Sequence, residues 1–85
     1  MDLSINKEVN VNAFRFTTKK QQLQSVPKEI EFDGASVTFV DAGLHYLIQK
    51  GQQLIQLFDM SDGHNTYRLR QDNNNWTLVG MKANA

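Results

Sequence analysis

The chain lacks cysteine altogether and has one proline and five scattered glycines in 85 residues. Without cysteine there are no disulfides and no thiolate metal ligands to hold it together. Two histidines alone are too few for a structural zinc site. No apolar run approaches the roughly 18 residues that cross a bilayer. The start, Met1 to Lys7, has neither the basic nor the apolar region of a secretory signal. The expectation is a soluble, cytoplasmic protein with no membrane contact. The glycines are spent singly, so no phosphate-cradling loop exists. Ser4, Ser25, Ser36 and Ser61 lack the Gly-x-Ser-x-Gly setting of a nucleophile elbow.

A charge excess is missing too. Formal net charge is zero, whereas nucleic-acid binders usually carry the basic surplus that phosphate neutralisation requires. The charges that exist are unevenly placed. Residues 1–28 hold five cations against two carboxylates, residues 29–62 six carboxylates against Lys50, and residues 63–85 three cations against Asp72. Complementarity between neighbouring strands of one sheet accounts for this. A bipolar surface that guides self-assembly is the sharper alternative.

What the chain does have is regular punctuation. Turn signals recur at Asp33-Gly34, Asp41-Ala42-Gly43, Lys50-Gly51, Ser61-Asp62-Gly63 and Asp72 to Asn75, with β-branched and aromatic runs between them. This spacing predicts one antiparallel all-β domain over residues 1–85. A chain so short buries only about 60–65% of its unfolded surface, so its core is thin. Asparagine and glutamine are plentiful but interleaved with apolar residues, which excludes a low-complexity tract.

Residues 3–17 alternate weakly through Leu3, Ile5, Val9 and Val11, then change phase before Phe14 and Phe16. A bulge at Asn12 and Ala13 would carry both rings onto the valine face. Residues 18–25 allow a short helix, with Thr17 or Thr18 as cap and Pro27 ending it. Asp33-Gly34 between two alternating segments predicts a type I′ hairpin, with Ile30 and Phe32 facing Val37 and Phe39. Residues 41–58 read two ways. Leu44, Leu47, Ile48, Leu54, Ile55 and Phe58 fit helical spacing, which would give an α+β fold. Gly43 and Gly51 oppose a helix, and two strands around a turn at Lys50-Gly51-Gln52 continue the punctuation. On the last hairpin Tyr67 and Leu69 should point inward and Arg68 and Arg70 outward. Beyond the asparagines, Trp76 and Leu78 should face one way, Val79 and Met81 the other. The expected fold is therefore an antiparallel meander of five to six strands, forming a small, partly open barrel.

Candidate chemistry is sparse. His64 near Asp59 and Asp62 lacks the spacing of a calcium loop, and a solvated turn explains it. His45 reads as a solvent-facing strand residue. Glu29 and Glu31 read as the outward face of a strand rather than an acid–base pair. No cofactor is implied and an enzyme is not expected. Strands 44–49, 53–58 and 76–81 carry apolar residues on both faces, which one-sided sheets do not. The leading expectation is thus a small non-enzymatic interaction module that self-associates or binds another protein. Its candidate contact residues are Tyr46, Lys50, Arg68, Arg70, Val79 and Met81. The second expectation is a single-stranded nucleic-acid binder using Arg68, Arg70 and Lys50 beside aromatic rings, although Tyr67 lies out of phase with the arginines. The third is a small-ligand or enzyme site formed between subunits.

Overall fold

A computed structural model describes residues 2–19 and 21–84. Seven strands follow one another: β1 (Leu3–Lys19), β2 (Gln22–Phe32), β3 (Ala35–Thr38), β4 (Asp41–Lys50), β5 (Gln53–Ser61), β6 (Asn65–Asp72) and β7 (Asn75–Ala83). They form one antiparallel sheet in the order β3-β2-β1-β7-β6-β5-β4. The meander is one or two strands longer than the sequence predicts, and it is not closed. The helix allowed at residues 18–25 is replaced by strand on either side of a turn at Gln21 (φ 63°). Good local helix formers there yield to the ladder between β1 and β2, which pairs Thr17 with Gln24 and Thr18 with Leu23. The helical alternative for residues 41–58 is likewise absent: β4 and β5 pair across Gly51 and Gln52.

The phase change in the first segment is a bulge. Val11 faces Ile30 but Ala13 faces Glu29, which leaves Asn12 as an extra residue in one long bent strand. Asp33 and Gly34 both adopt positive φ, 50° and 77°, as a type I′ turn requires. Ile30 pairs with Val37 as expected, but Phe32 pairs with Ala35. Phe39 leaves the strand.

That departure organises the molecule. β3 and β4 are consecutive in sequence yet lie at opposite edges of the sheet. Phe39 and Val40 cross between them. The Phe39 amide donates to the Lys28 carbonyl at 2.8 Å and the Val40 amide to the Ser61 carbonyl at 2.8 Å, so one residue extends each edge ladder. The Phe39 ring drops into the concave face and meets Tyr67, with ring centroids 5.6 Å apart. Around it sit Ile30, Leu69 and Leu78, all fully buried, with Val9, Val26, Phe58, Met60 and Trp76 completing the core.

Of the other register shifts, two decide the facing of candidate site residues. β7 carries an extra residue at Val79, since Leu69 faces Leu78 while Arg68 faces Gly80. Parity therefore flips, and Met81 pairs with Tyr67 and packs against the core, contrary to the expectation that it shares a face with Val79. On β4 the extra residue lies at Gly43 and Leu44, opposite Asp59. A Cβ on Gly43 would stand 3.0 Å from the Asp59 carbonyl oxygen, so glycine permits the close approach.

Candidate functional site

The two edges tied at Phe39 and Val40 part company further along. β3 covers β2 only from Glu29 to Phe32. Among the described residues the rest of β2, including the buried Pro27, has no strand on that side, a position where a proline costs no ladder bond. Across the gap runs the free edge of β4. Nine of its ten residues are exposed, among them Leu44, Tyr46, Leu47 and Ile48. Phe14, Phe16 and Leu23, also exposed, stand on the β1–β2 hairpin at the same end. Long apolar edges of this kind invite another strand.

The gap opens into a cleft of about 400 Å³ lined by Phe14, Gln24, Ser25, His45, Gln56 and Trp76 among others, none of them charged. A smaller hollow of about 150 Å³ continues it past Val26 and Leu44. His45 does not face solvent alone, as its sequence position suggests. The β4 bulge turns it onto the concave side, where its ring stacks on Phe58 at 4.4 Å with the planes 10° apart. Its Nε2 lies 2.8 Å from Gln56 Oε1, and Gln56 Nε2 donates to Gln71 Oε1 at 3.0 Å. With Gln56 Oε1 turned to the ring, the relay is satisfied by His45 donating from Nε2. Among the described residues no carboxylate lies within hydrogen-bonding distance of its ring.

The outer face of the sheet holds a second concavity, about 460 Å³, lined by Ile48, Lys50, Leu57, Arg68, Arg70 and Val79 among others. Cross-strand pairing explains the gathering: Tyr46 faces Leu57, Leu57 faces Arg70 and Arg70 faces Thr77, while Phe58 and Leu69 pair on the core side. Four of the six contact residues picked from sequence meet here. A fifth, Tyr46, lies at its margin with the Arg68 guanidinium 6.0 Å from its ring centroid. Met81 is on the other face.

The cations here are mostly engaged. Arg68 clamps Asp59 through Nε and Nη2 at 2.8 and 2.9 Å, a bidentate fork whose carboxylate side chain is only 10% exposed. Hydrogen bonding to Asp59 raises the Arg68 pKa against the opposing desolvation. Arg70 reaches Asp72 at 3.0 Å, and Asp72 also accepts from Gln53. Lys50 pairs with no carboxylate among the described residues. The Arg68–Asp59 pair, and Lys7 against Asp33 at 3.5 Å, join different segments, as the charge distribution suggests; Arg70–Asp72 lies within β6.

The Ser61 to Asn65 turn is structural. Asp62 Oδ1 accepts from the His64 and Asn65 amides at 2.8 and 2.7 Å, and Oδ2 accepts from the Tyr67 hydroxyl at 3.0 Å. His64 is exposed beside it. Among the described residues no group of three His, Cys, Asp or Glu side chains converges to hold a metal. No helix among them is long and apolar enough to cross a membrane.

The amides of the cleft carried no sequence signal. Gln24, Gln56 and Gln71 lie on three different strands, and only the register brings them together. Comparison with known proteins finds no matching family model, no matching curated protein and no matching solved structure.

Proposed function

We propose that this domain is a non-enzymatic interaction module that self-associates, two copies pairing antiparallel along β4. The observation that carries the reading is the free β4 edge, ten residues long, exposed, and apolar on both faces. Edge strands are usually blunted by an inward charge, a proline or brevity. This one has no inward charge or proline and is not short; its one protective device is the bulge at Gly43 and Leu44, beyond which His45 to Lys50 run in unbroken register with β5. Its only charged residues are Asp41 and Lys50, at its two ends.

That placement favours a second copy as the occupant. An antiparallel self-pairing is isologous, with a two-fold axis near His45 and Tyr46. It brings Asp41 of each copy beside Lys50 of the other, so both ends gain an opposite-charge neighbour. Zero net charge adds no long-range repulsion between copies. Leu47 and Leu44 themselves line the adjoining uncharged cleft and hollow, so a second copy laid along β4 would cover them without stranding an ion.

Sedimentation of the wild-type chain over a wide concentration range should show a monomer–dimer equilibrium. Amide hydrogen exchange along β4 should slow as dimer forms. Asp41→Lys should weaken the dimer by opposing two lysines, and adding Lys50→Asp in the same chain should restore it. A chain that stays monomeric into the high micromolar range, or a double variant no better than Asp41→Lys alone, overturns the reading.

A further inference from the structure

The outer concavity lies on the opposite face from the core and asks for a different kind of partner. Its floor is aliphatic: Ile48, Ile55, Leu57 and Val79. Its rim is cationic: Lys50, Arg68 and Arg70. An uncharged apolar ligand would leave the rim cations desolvated, and a small hydrated anion would leave the floor uncovered. The ligand that satisfies both has an anionic head on an aliphatic body.

The geometry points to a binding site for such an amphiphilic anion, a carboxylate or phosphate carried by an unbranched chain. Three observations converge on it. Lys50 stands at the mouth with no carboxylate partner among the described residues. Arg70 spends one terminal nitrogen on Asp72, and its side chain remains 44% exposed, leaving donors turned to solvent. Arg68 is held in place by its fork to Asp59, so it contributes a fixed positive edge instead of a mobile one. Three cations against Asp59 and Asp72 leave the groove one positive charge in excess. The volume of about 460 Å³ accommodates a chain of moderate length. Lys50 and Ile48 belong to both the groove and the β4 edge, and in the proposed dimer Lys50 gains the other copy's Asp41 as a neighbour, so the site is assigned to the monomer and tested on it, at concentrations below dimerisation.

Binding is tested with decanoate, acetate and 1-decanol as probes, followed by calorimetry and by methyl shifts of Ile48, Leu57 and Val79. Decanoate should bind and shift those methyls, while acetate and 1-decanol should each bind at least tenfold more weakly. Vesicles of phosphatidylglycerol separate the two sources of such an anion: binding to them as well as to decanoate assigns the groove to lipid headgroups, and binding to decanoate alone assigns it to a free fatty acid. The paired change Lys50→Gln and Arg70→Gln should weaken decanoate at least tenfold. Lys50→Arg should keep it. Should the pair fail to fold, Lys50→Gln alone, at the exposed end of β4, and Val79→Thr on the floor take its place, each with a several-fold loss. Leu47→Lys, outside the groove, should bind decanoate as the wild type does. Absence of decanoate binding, equal binding of acetate or 1-decanol, or a folded Lys50→Gln, Arg70→Gln chain that binds undiminished would overturn the inference.

Discussion

The same two sheet edges meet two different fates within one small domain. At one end β2 and β5 are stitched across by Phe39 and Val40, whose amides reach Lys28 and Ser61. There Ile30 and Phe39 are buried, at 0% and 1% exposure, while Val40 presents its side chain outward. At the other end the edges separate, and Phe16, Leu44 and Leu47 lie 59–67% exposed. Both ends are apolar in sequence. What differs is whether a residue crosses the gap. Hydrophobic composition thus does not locate the core here; the crossing does. The stitched end supplies stability, and the open end is the surface that the proposed self-association would use.

Substitution should break this contrast in a graded way. Phe39→Ala removes a fully buried ring that touches Tyr67 and anchors the crossing, and it should cost about 3–5 kcal/mol by chemical denaturation. For a domain of ordinary stability, about 5–15 kcal/mol, that is close to unfolding. At the open end, Leu47→Lys should change monomer stability by no more than about 0.5 kcal/mol, as for an ordinary surface position. It should nonetheless abolish the dimer in sedimentation. If the two substitutions destabilise the monomer equally, the division between the ends is wrong.

Between these extremes lies the Arg68–Asp59 fork. Asp59→Ala leaves a half-buried guanidinium without its carboxylate and should cost about 2 kcal/mol, less than a fully buried pair because Arg68 keeps some solvent. Replacing both residues together, Asp59→Ala with Arg68→Ala, should cost less than the sum of the single changes. A double-mutant cycle in denaturant measures the difference, and additive costs would mean the fork contributes nothing.

Much of the fold was legible because its signals were local. Asp33-Gly34 demanded positive φ at both positions, and Gly43 and Gly51 argued against a helix over 41–58. Tyr67 and Leu69 went inward and Arg68 and Arg70 outward, because alternation holds across an unbroken strand. Alternation failed where a bulge intervened. Counting by twos from Leu78 places Met81 outside, but the extra residue at Val79 turns it in; the bulge at Gly43 and Leu44 likewise fixes His45 on the concave face. The phase break before Phe14 marked the bulge at Asn12, but those at Gly43–Leu44 and Val79 interrupt no such pattern, since any residue type can be the extra one. Residues 18–25 misled for another reason: a short helix-forming stretch is worth little against a full ladder. The outer groove was partly visible in Lys50, Arg68, Arg70 and Val79. The amide cleft was not, because a glutamine signals nothing until register sets it beside another.

The smallest expected effect concerns acid. Burial pushes the Asp62 carboxyl up, but amide hydrogen bonds from Asn65 and His64, the Tyr67 hydroxyl and the His64 charge outweigh it, so the group sits below its ordinary 3.8. A carboxylate whose folded pKa is depressed stabilises the fold above its unfolded pKa, and that contribution is lost as pH falls through the folded value. Thermal melts from about pH 5 down to about pH 2 should therefore show a decline that is shallower in Asp62→Asn, whose side chain does not titrate. Tyr67 reports the same contact from the alkaline side. Desolvation and the bond to Asp62 raise its pKa above 10.0, so its contribution is present below that value and fades as pH climbs through the folded one. Asp62→Asn should bring the Tyr67 titration back toward 10.0 when followed by absorbance. The turn lies next to Ser61, at the stitched end, so a Tyr67 titration that ignores the Asp62 substitution would mean this end is not held by the contact assigned to it.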